Sequence, residues 1–260
     1  MDTPVAITRK LSILLTTFVT LCTFPFQGFA SETEEWRFTI APYAWLAGQS
    51  GTVGTSPGYP AADIDIDFYD DILGNINGAI MLVGDAMKGD FGISADVVYT
   101  DIEIGDQTPG EYFNTLSSRT TSWLISASGV YRLYGQDKGQ VDLLAGLRYW
   151  SVESELSVTA GLLPSNQIAN KEDWVDPLIG IRGRMPIGQS KFFISGLASI
   201  GGFGVGSDLL WDLSVNLAYQ FSEVFLASLG YRYLDVDYED NGYLYDISQD
   251  GPTMALIWQF

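Results

Sequence analysis

The feature that most constrains the fold is an apolar–polar alternation of period two, which recurs along the chain from about residue 36 to the end. This is the period of a β-strand whose two faces meet different environments. In FLASLGYRYLDVDY, for example, the aliphatic and aromatic residues alternate with Ser228, Gly230 and Arg232. About ten segments of roughly 9–15 residues follow this pattern, and that length suits a tilted strand that crosses a bilayer.

The connections between these segments alternate in length. A ten-stranded meander with both ends on one side has four turns on that side and five loops on the other. The sequence therefore predicts an all-β protein, a closed antiparallel transmembrane β-barrel of up-and-down topology, with eight strands as the alternative count. Outer-membrane barrels have short periplasmic turns and longer extracellular loops. The short turns fall at 88–90, 135–139, 187–190 and 222–223, and the loops at 50–75, 103–119, 159–172, 201–208 and 238–251.

The chain ends on MALIWQF, which places Met254, Leu256, Trp258 and Phe260 on one face. In a closed barrel the last strand pairs with the first, so no sheet edge is left open. We interpret Trp258 and Phe260 as a C-terminal insertion signal that the barrel-assembly machinery reads during insertion. A soluble β-sandwich is the alternative, but it does not account for an apolar, aromatic chain end.

Residues 1–30 have the organisation of a secretory signal peptide, with an uncleaved membrane anchor as the alternative. Arg9 and Lys10 precede the apolar stretch LSILLTTFVTLCTF, and small residues stand at Gly28 and Ala30. This is the order of a positive region, an apolar region and a cleavage site. The sequence therefore predicts a mature barrel domain of residues 31–260 in the outer membrane of a Gram-negative bacterium.

Charge and residue usage exclude several classes of function. Removing residues 1–30 removes Asp2, Arg9 and Lys10, which leaves 31 acidic and 11 basic residues and a formal charge of −20. Such a chain repels nucleic acids, so no nucleic-acid partner is expected. The only cysteine is Cys22 and histidine is absent. Disulfides, thiolate metal sites and histidine-dependent catalysis are therefore unavailable, and we expect neither an enzyme nor a cofactor.

The predicted inward faces contain five aspartates and five arginines. Hydrogen-bonded Arg–carboxylate pairs offset much of the unfavourable free energy of burying either charge alone. We therefore expect a paired network that plugs the lumen. The alternative is a constriction in a narrow, porin-like channel for small solutes or ions. The predicted lumen residues are Asp85, Asp96, Arg132, Asp142, Arg148, Asp176, Arg182, Arg184, Asp212 and Arg232.

The segment DIDIDFYDD concentrates carboxylates in the first predicted loop. Asp63, Asp65 and Asp67 form a candidate weak divalent-cation site, because hard cations prefer carboxylate oxygens. The segment does not fit an EF-hand, since Phe68 and Gly74 stand where that loop needs Gly and Glu. Its Asp–Ile alternation also fits a strand that rises above the membrane. A third function is therefore cation-dependent binding of the cell surface or lipopolysaccharide.

Four blocks resemble the recurring segments of proteobacterial outer-membrane β-barrel proteins of the opacity and outer-membrane-protein-W type. The resemblance extends along nearly the whole mature chain and implies the barrel fold and the outer-membrane location. It implies no catalytic or binding residue. We expect a monomer with a structural or surface role, in contact with outer-membrane lipid and lipopolysaccharide. The blocks are PYAWLAGQSGTVG, DWVDPLIGIRGR, GGFGVGSD and GYRYLDVDYEDNGYLYD.

Overall fold

A computed structural model of the chain describes residues 35–54, 61–107, 113–136, 139–161 and 164–260. The predicted signal peptide lies outside these ranges. None of the helical structure in the described part of the chain is long and apolar enough to cross a membrane. The described elements are the strands β1 (Trp36–Trp45), β2 (Gly48–Gly54), β3 (Ala62–Ile66), β4 (Ile76–Lys88), β5 (Phe91–Gln107), β6 (Phe113–Gln136), β7 (Gly139–Ala160), β8 (Asn166–Pro186), β9 (Phe192–Gly202), β10 (Leu209–Gln220), β11 (Phe225–Asp240) and β12 (Tyr243–Gln259), and a π-helical turn (Phe68–Ile72).

Ten of these strands close into an antiparallel barrel. From β4 to β12 each strand pairs with the next one in sequence, and β1 pairs with both β4 and β12. The closing ladder aligns Ile40 with Trp258 and Ala44 with Met254. The predicted closed meander of ten strands is therefore confirmed, and the alternative count of eight is wrong. Closure pairs the last strand with the first, as the apolar chain end indicated.

The strands β2 and β3 form a hairpin outside the closed ring. β2 continues the direction of β1 and pairs with the first half of β12, and β3 pairs with β2. The Asp–Ile alternation of residues 62–66 thus forms the strand that the sequence indicated at this position. The π-helical turn follows β3 and leads back to β4.

We call the two ends of the barrel the turn end and the loop end. The turn end contains the connections at 89–90, 187–191 and 221–224 together with the paired ends of β1 and β12, where the Phe38 amide donates to the Phe260 carbonyl at 3.0 Å. The connections that follow β1, β5, β7, β9 and β11 lie at the loop end.

The connections at the loop end are shorter than predicted, because the hairpins continue beyond the apolar band. The predicted loop 103–119 is mostly strand, since β5 extends to Gln107 and β6 begins at Phe113. Similarly, β11 and β12 leave only residues 241–242 between them within the predicted loop 238–251, and most of 159–172 is paired. Outside a bilayer the outward face of a hairpin meets water, so its apolar residues give way to polar ones although the backbone ladder continues.

The outward face of the closed ring is an apolar band. Ile40, Leu82, Leu217 and Leu229 are exposed on it, and Leu229 has the largest exposed fraction of these, at 67%. Aromatic side chains gather near the turn end, where the Phe225 and Trp258 rings lie 5.3 Å apart. An exposed apolar surface of this extent on a closed barrel is suited to lipid and not to water.

Candidate functional site in the barrel interior

Four of the predicted lumen residues form an ion cluster halfway along the barrel, which we call the middle cluster: Asp96, Arg148, Asp212 and Arg232. Asp212 is fully buried and accepts hydrogen bonds from Arg148 Nη2 at 2.5 Å and from Arg232 Nη2 at 2.8 Å. Arg232 Nη2 also donates to Asp96 at 3.0 Å. The two positive and two negative side chains make the cluster neutral, which reduces the unfavourable free energy of burying its charges.

Two neutral hydroxyl groups add hydrogen bonds to the middle cluster, whereas Arg148 Nη1 is buried and has no partner among the described residues. Ser126 Oγ accepts from Arg148 Nε at 2.9 Å. Tyr43 Oη accepts from Arg232 Nη1 at 2.9 Å and donates to Asp96 at 2.8 Å. These contacts join β1, β5, β6, β7, β10 and β11, so the cluster ties opposite walls of the barrel together.

A second ion cluster, the lower cluster, lies nearer the turn end and consists of Asp85, Arg132, Asp142 and Arg182. Arg182 bridges the two carboxylates at 2.7 Å to Asp85 and 3.1 Å to Asp142. Arg132 Nε donates to the fully buried Asp142 at 2.8 Å. This cluster also contains two charges of each sign.

The remaining two predicted lumen residues have other partners. Asp176 accepts from the Ser207 amide at 2.6 Å, from Ser207 Oγ at 2.8 Å and from the Trp174 indole at 3.2 Å. It therefore holds the β9–β10 connection against the barrel. A Cβ on Gly206 would lie 2.6 Å from Asp176 Oδ1, so this approach requires glycine. Arg184 stacks its guanidinium over the Phe193 ring at 4.0 Å.

A layer of buried aromatic rings lies on the loop side of the middle cluster. Trp174 stacks on Trp150 at 5.4 Å and on Tyr238 at 4.0 Å, and Arg232 lies 4.8 Å from the Trp45 ring centroid. We call this group the aromatic layer, and its members are Trp45, Trp150, Trp174, Tyr238, Tyr243 and Tyr245.

The sequence pattern does not predict this layer. Tyr243 and Tyr245 lie within the predicted loop 238–251 and are therefore on no predicted strand face. The signal is nevertheless present, because Tyr238 ends the segment FLASLGYRYLDVDY and continues the inward alternation of Arg232 and Leu234.

The three carboxylates of the predicted cation site do not converge. Asp63 accepts from Thr52 Oγ1 at 2.8 Å, whereas Asp67 caps the π-helical turn by accepting from the Tyr69 amide at 2.7 Å. The described residues contain no group of three or more His, Cys, Asp or Glu placed to hold a metal ion.

Acidic side chains instead form an outward surface at the loop end, which we call the acidic wall: Asp63, Asp65, Asp235, Asp237 and Asp246. The ladder places Asp237 directly opposite Asp246, then Thr52 and Asp63 on the same row. Asp237 lies beyond the apolar band, and burial together with the neighbouring carboxylate of Asp246 raises its pKa above the usual value. Directly opposed like charges on one face of a sheet are destabilising.

Comparisons with known proteins support the fold and the location. No protein-family description and no curated protein sequence matches the chain. Among solved structures, the outer-membrane protease OmpT from Escherichia coli is 13% identical, with a TM-score of 0.53 over 88% of this chain and 98% of that chain. Ail, the attachment invasion locus protein of Yersinia pestis, is 11% identical with a TM-score of 0.35, over 87% of this chain and 99% of that chain.

Neisserial surface protein A is also 11% identical, with a TM-score of 0.35, over 87% of this chain and all of that chain.

The structural likeness to OmpT shows the fold alone. The closed ladder and the apolar outward band of this fold place the protein in a membrane. The chain is an integral outer-membrane β-barrel protein of a Gram-negative bacterium. Resemblance to the outer-membrane-protein-W type in particular stays a prediction.

Proposed function

We propose that the protein is a non-conducting outer-membrane barrel with a structural or surface role. The observation that carries this proposal is the succession of three interior levels: the lower cluster, the middle cluster and the aromatic layer. A hydrated ion crossing the barrel would have to separate buried ion pairs and then displace stacked rings. Separating one partner of a buried pair is strongly unfavourable. The interior therefore strengthens the barrel rather than conducting solutes.

We also propose that the protein is not an enzyme. A general acid or base needs a pKa near the working pH and access to a substrate. All four carboxylates in the two interior clusters are bound to arginines, and the chain contains no histidine. OmpT is a protease, but a fold likeness at 13% identity transfers no catalytic role to this chain.

Planar-bilayer recording tests the closed interior. The refolded wild-type protein is expected to show no steady conductance at any applied voltage that the bilayer tolerates. Arg148→Ala alone leaves the aromatic layer in place and is also expected to be silent. The combination of Arg148→Ala, Arg182→Ala and Trp174→Ala removes one side chain at each of the three levels and is expected to conduct. Steady conductance in the wild type would establish the narrow-channel alternative.

A second candidate function is cation-dependent contact with lipopolysaccharide, and the acidic wall favours it. The wall adjoins the lipid-facing band at the loop end, which is the extracellular end in outer-membrane barrels generally. Divalent cations between these carboxylates and the phosphates of lipopolysaccharide would relieve the repulsion between Asp237 and Asp246.

This candidate function requires the loop end to be extracellular. A cysteine introduced at Asn241 should therefore react with a membrane-impermeant reagent on intact cells, and one at Gly188 should not.

Asp246→Asn is expected to stabilise the protein in the absence of divalent cations, by about 0.2–1 kcal/mol at neutral pH. The gain should disappear in acid, because the pKa of Asp237 is raised above the usual value and its carboxylate is neutralised as the pH falls. Magnesium should raise the unfolding midpoint of the wild type in lipopolysaccharide-containing vesicles and have a smaller effect on the variant. Asp90→Asn at the turn end is the control. Equal magnesium effects on all three proteins would rule out this candidate.

A further inference from the structure

A mostly apolar cavity of about 70 Å³ lies within the loop half of the barrel, between β1, β4, β5, β6 and β7, and Gln49 of β2 and Gln249 of β12 also line it. Trp45, Val98, Leu124 and Trp150 belong to its wall and are buried. Neither ion cluster contributes a side chain to its lining, and none of its lining side chains among the described residues is charged. The cavity is therefore distinct from the ion clusters.

The π-helical turn closes one side of the cavity. Phe68 and Ile72 line it and are 6% and 4% exposed, whereas Tyr69 between them faces solvent. Asp67 holds the turn in place by accepting from two backbone amides, and the Asn75 carbonyl accepts from the Glu103 amide of β5 at 2.9 Å. The carboxylate that resembled a cation ligand in the sequence thus fixes the wall of a pocket.

Two unsatisfied hydrogen-bond donors belong to the cavity lining. The indole N–H groups of Trp45 and Trp150 are buried and have no acceptor among the residues that the structure describes. An unpaired buried donor is unfavourable, and native structures contain few of them. Two such donors in the wall of one apolar cavity indicate an occupant that carries an acceptor atom.

We propose that this cavity binds a small neutral molecule that is mostly apolar and carries a carbonyl or ether oxygen, with Trp45 and Trp150 as the donors. A cation would meet indole N–H donors and no carboxylate in the lining. An anion would meet no charged partner there, since Arg232 behind the Trp45 ring is already bound to Asp96 and Asp212. An apolar cavity of about 150 Å³ accommodates benzene, so this one suits a molecule of about three to five heavy atoms.

The molecule would enter from the loop end. Leu116, Leu156 and Ile168 continue the inward alternation of β6, β7 and β8 above the aromatic layer, and their exposed fractions are 41%, 47% and 52%. They form an apolar surface on the inner side of the projecting hairpins. Because the ion clusters lie between the cavity and the turn end, the geometry favours binding at this site over passage through the barrel.

The test uses 2-butanone as the probe, with the full mature protein in detergent micelles and ¹⁵N-labelled tryptophan. We expect 2-butanone to shift the indole N–H resonances of Trp45 and Trp150, and to leave Trp258 on the outward face unchanged. The hydrocarbon 2-methylbutane matches the ketone in size but lacks an acceptor, and propionate matches it but is charged. Both should bind at least several-fold more weakly than the ketone.

Variants separate hydrogen bonding from packing. Trp45→Phe and Trp150→Phe keep a ring but remove one donor each, and each should weaken 2-butanone binding about two- to ten-fold without affecting 2-methylbutane. Trp174→Phe is the matched control, because the Trp174 indole already donates to Ser207 Oγ at 2.9 Å. Equal binding of ketone and hydrocarbon, or indole resonances that do not respond to the ketone at saturation, would overturn the proposal.

Discussion

Arg148→Ala is expected to lower the free energy of unfolding by about 3–5 kcal/mol. Water that enters the vacated space should reduce this loss. The side chain is 3% exposed, and its loss leaves the fully buried Asp212 with Arg232 as its one remaining charged partner. The middle cluster then carries a net negative charge in a poorly hydrated space. Urea titration of the protein refolded in lipid vesicles, followed by tryptophan fluorescence, measures the change.

The pair of Arg119 and Asp101, whose arginine is exposed, provides the control for this measurement. It has similar geometry, with 2.6 Å between Arg119 Nη2 and Asp101 Oδ2, but the arginine side chain is 47% exposed, against 9% for the aspartate. Arg119→Ala should therefore lower the free energy of unfolding by much less than Arg148→Ala does, because water can reach the Asp101 carboxylate once the arginine side chain is removed. The double variant Arg148→Ala with Asp212→Ala should be more stable than the sum of the single effects indicates. Equal effects of the two arginine substitutions would refute the buried network.

The sequence predicts which face each of these charges occupies, but not which partner each one has. Arg182 contacts Asp85 across 97 residues of chain, and Arg232 contacts Asp96 across 136. Period two assigns a side chain to the inside of a barrel. The height of that side chain along the barrel axis and its position around the axis depend on the shear of the strands. The shear cannot be deduced from any single segment of sequence. This is why Asp176 and Arg184 were predicted in the ion network, although their partners are Ser207 and Phe193.

The sequence predicts the strands within the apolar band more accurately than it predicts the loop half of the barrel. Within the apolar band the two faces meet lipid and interior, so the alternation that includes Leu217 and Leu229 is easily recognised. Beyond the band the outward face meets water, and the outward alternation is replaced by hydroxyl-rich segments such as the start of β6. The sequence therefore predicts loops there, and one of them contains Tyr243 and Tyr245. The outer part of the cavity wall, Phe68 and Ile72, also lies in a predicted loop, because it is built from the connection after β3.

Leu217→Arg is expected to destabilise the folded protein in lipid by about 2–4 kcal/mol, because an arginine at the bilayer midplane loses hydration that lipid cannot replace. Leu217 faces outward within the apolar band, with Ile194 and Leu229 beside it on the neighbouring strands.

The matched control lies on the same strand and face. Leu209 begins β10 at the loop end and pairs with Asp237 of the acidic wall. An arginine at this position can reach water, so Leu209→Arg should change the free energy of unfolding by only about 0–1 kcal/mol. Unfolding in lipid vesicles compares the two variants directly. If Leu217→Arg were as stable as Leu209→Arg, the apolar band would not be centred where the outward residues place it. The same comparison in detergent micelles should reduce the difference, because water reaches the arginine more easily there than at the centre of a bilayer.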